Sequence, residues 1–322
     1  MARLCILLAE RWSTDTPLAE KFANWPGDIG PAAASLPLRL AGGLHALVLR
    51  QHDAALSAAY PPNTVDDDTL WQAVVAALHT HSTFLDHWTD NAPQTNEVRR
   101  SATLIGVGHW LAARYDLPFV LSELGASGGL NLMWDRFGLE IAGQHFGWQD
   151  ATVQLSPDWT GPTPPKKTPQ IAERRGVDLN PLDARNPDDA LRLMAYLWAD
   201  QPDRLARTRA AIDLYDATVD QADAIDWLAA RLASPRRNQL HLIYHTVAWQ
   251  YFPPSHQARG QAMIEHAGSL ATPGAPLAWF GMENDGADKG AALTLRLWPG
   301  DISLNMGRAD FHGRWVEWSA PS

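Results

Sequence analysis

Cysteine is almost missing from this chain: Cys5 stands alone in 322 residues. One thiol excludes an internal disulfide and any zinc site built on cysteine pairs. Positive charge is also scarce. Lys and Arg number 26 against 36 Asp and Glu, giving a formal net charge of −10 and a pI near 5.6. That balance argues against a nonspecific grip on nucleic acid or on an anionic membrane, so neither is expected as a partner. No apolar run reaches the length of a membrane span. The N-terminal run Leu4 to Ala9 is cut short by Glu10 and Arg11, too early for a signal-peptide core, and a cytoplasmic protein is expected. Internal repeats and low-complexity segments are missing too.

What is present is apolar bulk. Hydrophobic residues make up 46% of the chain, with 15 Trp, enough for a sizeable core. Residues 1 to about 115 read as helices. Asp66 to Asp68 cap a run in which Leu70, Val74, Leu78, Leu85 and Trp88 share a face, and Val98, Ala102, Ile105 and His109 recur at helical spacing. From residue 118 strands alternate with helices. Strand composition is clearest at Pro118–Leu124, Arg175–Leu179, Leu240–Val247 and Pro276–Met282, and the last 45 or so residues read as antiparallel strands. Asn186 followed by Pro187, Asp188 and Asp189 predicts a helix start. The five prolines between Ser156 and Pro169 predict a loop. The expected fold is α/β: a mostly parallel sheet with an antiparallel C-terminal hairpin, plus an N-terminal helical cap. The expected domains are a helical cap over residues 1–115 and an α/β domain over 116–322, with an insertion at about 137–170.

The richest stretch for function is Pro118 to Met133. An apolar strand leads to Glu123, then to the small-residue turn Gly125-Ala126-Ser127-Gly128-Gly129, then to Leu130-Asn131-Leu132, which can open a helix. Such a junction turns backbone N–H groups toward a ligand. Glu123, Gly125 and Gly129 resemble the first motif of class I S-adenosylmethionine-dependent methyltransferases, with Ser127 in place of the middle glycine. Asp178, in Gly176-Val177-Asp178-Leu179, resembles the acid that holds the ribose hydroxyls in that family, and Asp223 resembles the acid near the adenine amino group. Leu242 to Thr246 resembles the fourth strand of the family. Its His245 is the best candidate for a base or substrate ligand.

The resemblance implies a Rossmann-like, methyltransferase-type sheet. It also implies S-adenosylmethionine as cofactor and methyl transfer to a small-molecule acceptor. The cofactor would be held by Glu123, Gly125, Ser127, Gly129, Asp178 and Asp223. Asn96, Glu97, Arg100, Asn131, Gln250 and Tyr251 are candidate substrate-binding residues, and no metal is expected. Each has a plainer reading. Asp178 could cap a turn with Asn180, Asp226 competes with Asp223 as a helix cap, and His245 could be a core histidine.

Two other functions compete. One is a non-catalytic protein of the same fold that binds an adenosyl ligand. The other is a serine hydrolase, because Gly125 to Gly129 also fits G-x-S-x-G with Ser127 as nucleophile and a late His such as His312. The whole chain also resembles a bacterial family known as domain of unknown function 2332, through Gln94 to Glu97, Glu123 to Leu132, Gly176 to Asp183, Tyr244 to Tyr251 and Gly313 to Trp318. That resemblance supplies no activity. The methyl acceptor and the oligomeric state stay open.

Overall fold

A computed structural model describes residues 1–30 and 33–321. The chain forms two compact units, Met1–Thr95 with Arg185–Arg209 and Asn96–Ala184 with Ala210–Ser322.

The first unit is helical. It holds α1 (Ala2–Arg11), α2 (Ala19–Ala23), α3 (Leu36–Leu49), α4 (Ala54–Ala59), α5 (Asp67–Thr80) and α6 (Ser82–Thr89). The next helix, α7 (Ser101–Arg114), belongs to the second unit, so residues 96–115 group with the sheet. α8 (Pro187–Ala195) completes the first unit, and α9 (Pro202–Asp213) begins in it. Asp66 caps α5 by accepting the Thr69 N–H at 2.7 Å, and Asn186 caps α8 through the Asp188 N–H at 2.8 Å. The apolar stripe Leu70, Val74, Leu78 and Leu85 is buried with Leu40, Leu44 and Leu47 of α3. His45 Nδ1 lies 3.0 Å from the Ala195 carbonyl, joining α3 to α8, and burial lowers its pKa.

The second unit is built on a nine-stranded sheet. Its strands are β1 (Phe119–Leu124), then β5 (Asp158–Thr160), β6 (Ile171–Asp178), β7 (Thr218–Gln221), β8 (Leu240–Thr246), β9 (Leu277–Glu283), β10 (Ala291–Trp298), β11 (Ile302–Ala309) and β12 (Trp315–Trp318). Between β1 and β5 lie β2 (Gly138–Ile141), β3 (Gln144–Gly147) and β4 (Gln154–Leu155), which form a separate three-stranded sheet inside the expected insertion. The spatial order of the large sheet is β5-β12-β11-β10-β9-β8-β1-β6-β7. β7, β6, β1, β8 and β9 are parallel, and β9 to β12 form an antiparallel meander. Every residue of β1 and β8 is buried, as near-continuous apolar runs at the centre of a parallel sheet require. α10 (Ala224–Leu232) and α11 (Pro254–Ser269) pack over an apolar layer that includes Leu228, Ile243 and Ile264. The mostly parallel sheet with antiparallel C-terminal strands is the arrangement expected from the sequence.

Two local expectations change. The stretch after the glycine turn, Leu130–Arg136, is a 3₁₀ helix rather than an α-helix. The turn already runs on i→i+3 bonds, from Gly129 N–H to Ala126 O at 2.8 Å and from Leu132 N–H to Gly129 O at 3.0 Å, and the segment continues in that spacing. The proline-rich stretch after Ser156 is not all loop. Residues 158–160 pair in parallel with β12, and Trp159 packs on Trp318 with ring centroids 5.3 Å apart.

Candidate functional site

Chain order reverses across the sheet between β1 and β8: β1 leads on one side to β6 and β7, and β8 leads on the other to β9. In open α/β sheets the crevice beyond the carboxyl ends of the strands at such a point is where ligands bind. Of the candidate residues, Gly125, Asp178, Asp223 and Tyr251 line a pocket there, and Glu123, Ser127, Gly129 and His245 do not.

On the β1 side, the glycine turn is set by left-handed backbone at Gly125 (φ 68°), Ser127 (φ 55°) and Gly129 (φ 70°). Gly125 also lacks room for a side chain, because a Cβ there would lie 2.5 Å from the Ala248 Cβ. The turn is less open than expected. The Ala126 N–H donates to Val177 O at 3.0 Å, the Ser127 N–H to Asp178 Oδ2 at 2.9 Å, and the Leu130 N–H to Asn96 Oδ1 at 2.7 Å. The helix-start amide expected to face a ligand is therefore occupied by a side chain. Ser127 Oγ is buried and has no hydrogen-bond partner among the described residues. Among the described residues no histidine hydrogen-bonds it, so the G-x-S-x-G reading lacks its base.

Glu123 is 2% exposed at the end of β1. Burial pushes its carboxyl well above the usual carboxylate range. A hydrogen bond from Tyr244 and the charge of Arg100 pull the other way, and Asp178 adds to the rise. The Tyr244 hydroxyl lies 3.5 Å from Glu123 Oε2 and 3.4 Å from Asn131 O. Burial, and next the nearby Glu123, hold that hydroxyl well above its ordinary value.

A pocket of about 160 Å³ opens beyond β1, β6 and β7. Gly125, Asp178 and Asp223 all line it, with Ala224, Ile225, Tyr251, Phe252 and His256 among the other walls. Asp178 takes the plainer role that the sequence offered, and it also faces the pocket. It closes its turn by accepting the Asn180 N–H at 2.9 Å. Asp223, not Asp226, is the cap of α10, accepting the Ile225 and Asp226 N–H groups at 2.9 and 3.1 Å. Its Oδ2 lies 3.4 Å from His256 Nε2.

His245 ends up with neither ring nitrogen open. Nδ1 lies 2.7 Å from Glu283 Oε1, and Nε2 accepts from Trp279 Nε1 at 3.0 Å. Trp249 stacks on the ring at 5.0 Å. An indole only donates, so Nε2 is the acceptor and Nδ1 carries the proton. The geometry gives the plainer reading, a core histidine, and not a base.

The expected substrate residues mostly hold backbone. Asn131 Oδ1 accepts from Ser101 Oγ at 2.7 Å, and its amide donates to Glu97 O at 3.3 Å. Together with Asn96 this fastens the 96–101 turn to the glycine turn. Glu97 is buried, and its Oε1 accepts the Arg99 N–H at 3.2 Å. Arg100 donates to Phe311 O and Thr246 O at 2.9 and 3.0 Å, which puts its guanidinium at the carboxyl end of β8. Gln250 Oε1 accepts the Asn284 N–H at 2.9 Å. Tyr251 alone of the six lines the pocket, 74% exposed at its rim.

Sequence reasoning missed Glu283, Trp279, Phe252 and His256. Glu283 carried one usable signal: it is the acid at the carboxyl end of a strand parallel to β8, where ligand sites form. Among the described residues no helix is long and apolar enough to cross a membrane.

No curated protein and no solved structure matches the chain. One family does. Residues 1–318 match the family described as uncharacterized protein conserved in bacteria, DUF2332, and the chain belongs to it.

Proposed function

We propose that the pocket beyond β1, β6 and β7 binds S-adenosylmethionine, and that the protein transfers its methyl group to a small-molecule acceptor. One observation carries this reading: Gly125, Asp178 and Asp223, far apart in sequence, line the same pocket. The parallel order β7-β6-β1-β8-β9 supports it, because it is the doubly wound order in which ligands sit at the strand reversal. On this reading the sheet is Rossmann-like and of methyltransferase type.

The pocket's lining supports an adenine-sized part of that ligand. The volume of about 160 Å³ is below the roughly 300–1,000 Å³ of a pocket enclosing a whole drug-sized ligand, and suits one flat moiety such as a purine. Ala224, Ile225 and Phe252 give it apolar walls. Each Asp178 oxygen accepts one backbone N–H and keeps a lone pair for a hydroxyl. Ser127 Oγ, buried without a partner among the described residues, does not line the pocket and adds no support. When bound, the cofactor supplies an activated methyl group. The protein's part is to bind, orient and exclude water.

His245 favours a second reading, a protein that binds an adenosyl ligand without catalysis, since its locked ring leaves no base at β8. Calorimetric titration with S-adenosylhomocysteine tests the shared part. Micromolar binding is expected, with Asp178→Ala weaker by roughly ten- to hundredfold for the loss of charge-assisted hydrogen bonds. Folded, ligand-free protein that does not bind would overturn both readings. Turnover of labelled S-adenosylmethionine with candidate acceptors separates them.

A further inference from the structure

We infer that Glu283 is the positioning residue of the adenosyl pocket: it holds the turn after β8 that carries the pocket's Tyr251, Phe252 and Pro253. The inference rests on the reading that this pocket takes an adenosyl ligand.

Four donors meet on this one carboxylate. Oε1 accepts from His245 Nδ1 at 2.7 Å, from the Ala248 N–H at 2.9 Å and from the Trp249 N–H at 3.1 Å. Oε2 accepts the Gln250 N–H at 3.3 Å. Burial raises the Glu283 pKa, yet the hydrogen bonds from His245 Nδ1 and from the Ala248 and Trp249 amides leave it below the usual carboxylate value. The turn needs a clamp. Val247, directly before the bound amides, has φ 56°, a left-handed conformation that a β-branched residue keeps only where its surroundings impose it.

The turn meets the pocket in two places, at Gly125 and at residues 251–253. Ala248 packs where a Gly125 side chain would be, so it fixes the glycine turn. Residues 249–251 form a 3₁₀ turn leading to Phe252 and Pro253, and Gln257 Nε2 fastens it from α11, donating to Trp249 O and Phe252 O at 2.9 Å each. His245 and Trp279 then orient the carboxylate instead of a substrate. This gives the buried histidine a function in the site without chemistry.

Glu283→Gln and Glu283→Ala are compared with wild type by amide hydrogen exchange at residues 248–250 and by calorimetric titration with S-adenosylhomocysteine. Glutamine keeps one acceptor oxygen but sets an NH₂ against the Gln250 N–H, so the alanine variant should show the larger effect. Faster exchange at 248–250 is expected in both, with the amides of β1 and β8 unchanged, and affinity weaker by about tenfold in the glutamine variant. General loosening would speed the strand amides as well, so the local pattern is specific to the clamp. If alanine prevents folding, the near-isosteric glutamine carries the test. Unchanged exchange at 248–250 would overturn the clamp whatever the ligand does. Faster exchange with wild-type affinity would overturn its role in the pocket and leave the adenosyl reading standing. Failure of wild type itself to bind would sink that reading and the inference with it.

Discussion

His241 and His245 stand four residues apart on β8, on the same face by the strand period of two, and their surroundings differ completely. Near the amino end, His241 Nε2 lies 2.8 Å from Ser122 Oγ, which takes a hydrogen bond from Arg231 Nε at 3.1 Å. Arg231 continues to Glu173, and among the described residues no carboxylate is hydrogen-bonded to the imidazole. Burial, and next the charges of Arg231 and Arg236, push the His241 pKa down to about 3. Near the carboxyl end, His245 has Glu283 on Nδ1 and Trp279 on Nε2. One histidine is a neutral core residue and the other belongs to a clamp. The lesson is that burial on a central strand does not decide what a histidine does. The partner brought by a neighbouring element does.

The comparison can be broken most strongly with acid. His241 has a folded pKa near 3 against about 6.5 unfolded, so between those values the unfolded chain binds the extra proton. Stability therefore falls as pH drops from 6.5 toward 3, by on the order of 4 kcal/mol for so buried a group. The Glu283 clamp acts in a lower window. Its folded pKa is depressed, so its contribution is complete above the unfolded value near 4.5 and is lost as pH falls through the folded one. Urea unfolding from pH 7 to 4 should show the upper window in wild type and a flatter profile in His241→Gln. Equal slopes in the two proteins would remove His241 from the account.

A smaller effect should follow from Ser122→Ala, which leaves His241 Nε2 and Arg231 Nε without that hydroxyl in a buried setting. A loss of about 2–4 kcal/mol is expected by chemical denaturation at pH 7, and under 0.5 kcal/mol would mean that the network adds little. The smallest change should have the opposite sign. The Glu123 carboxyl is raised, so above pH 4.5 the folded state holds a proton that the unfolded state has lost, and stability declines with rising pH. Glu123→Gln removes that penalty and should stabilise the fold by about 1–2 kcal/mol at pH 7.5, measured as a higher melting temperature. A lower one would show that the charged carboxylate is needed.

Much of this was legible in the sequence because it was local. Apolar runs marked β1 and β8, Asn186-Pro187 marked the start of α8, and three left-handed residues were written as Gly125-Ala126-Ser127-Gly128-Gly129. What escaped was long-range pairing. β5 exists because β12, more than a hundred residues later, offers it an edge. The Leu130 amide is taken by Asn96 from before the strand, and the locked state of His245 depends on Trp279 and Glu283 from the next one. Such partners leave no periodic trace.

The interrupted course of the helical unit has a consequence for biosynthesis. Leu193 and Met194 of α8 are buried, and Ala195 packs with Ala46 and Trp88, so this unit is finished only when Arg185–Arg209 arrives. On the ribosome, residues 1–95 must wait for that segment while β1 and β6 have already emerged. A fragment ending at residue 95 would lack part of its core, and one beginning at 96 would carry α8 with its apolar side uncovered. The two units are expected to be expressed, or lost, together.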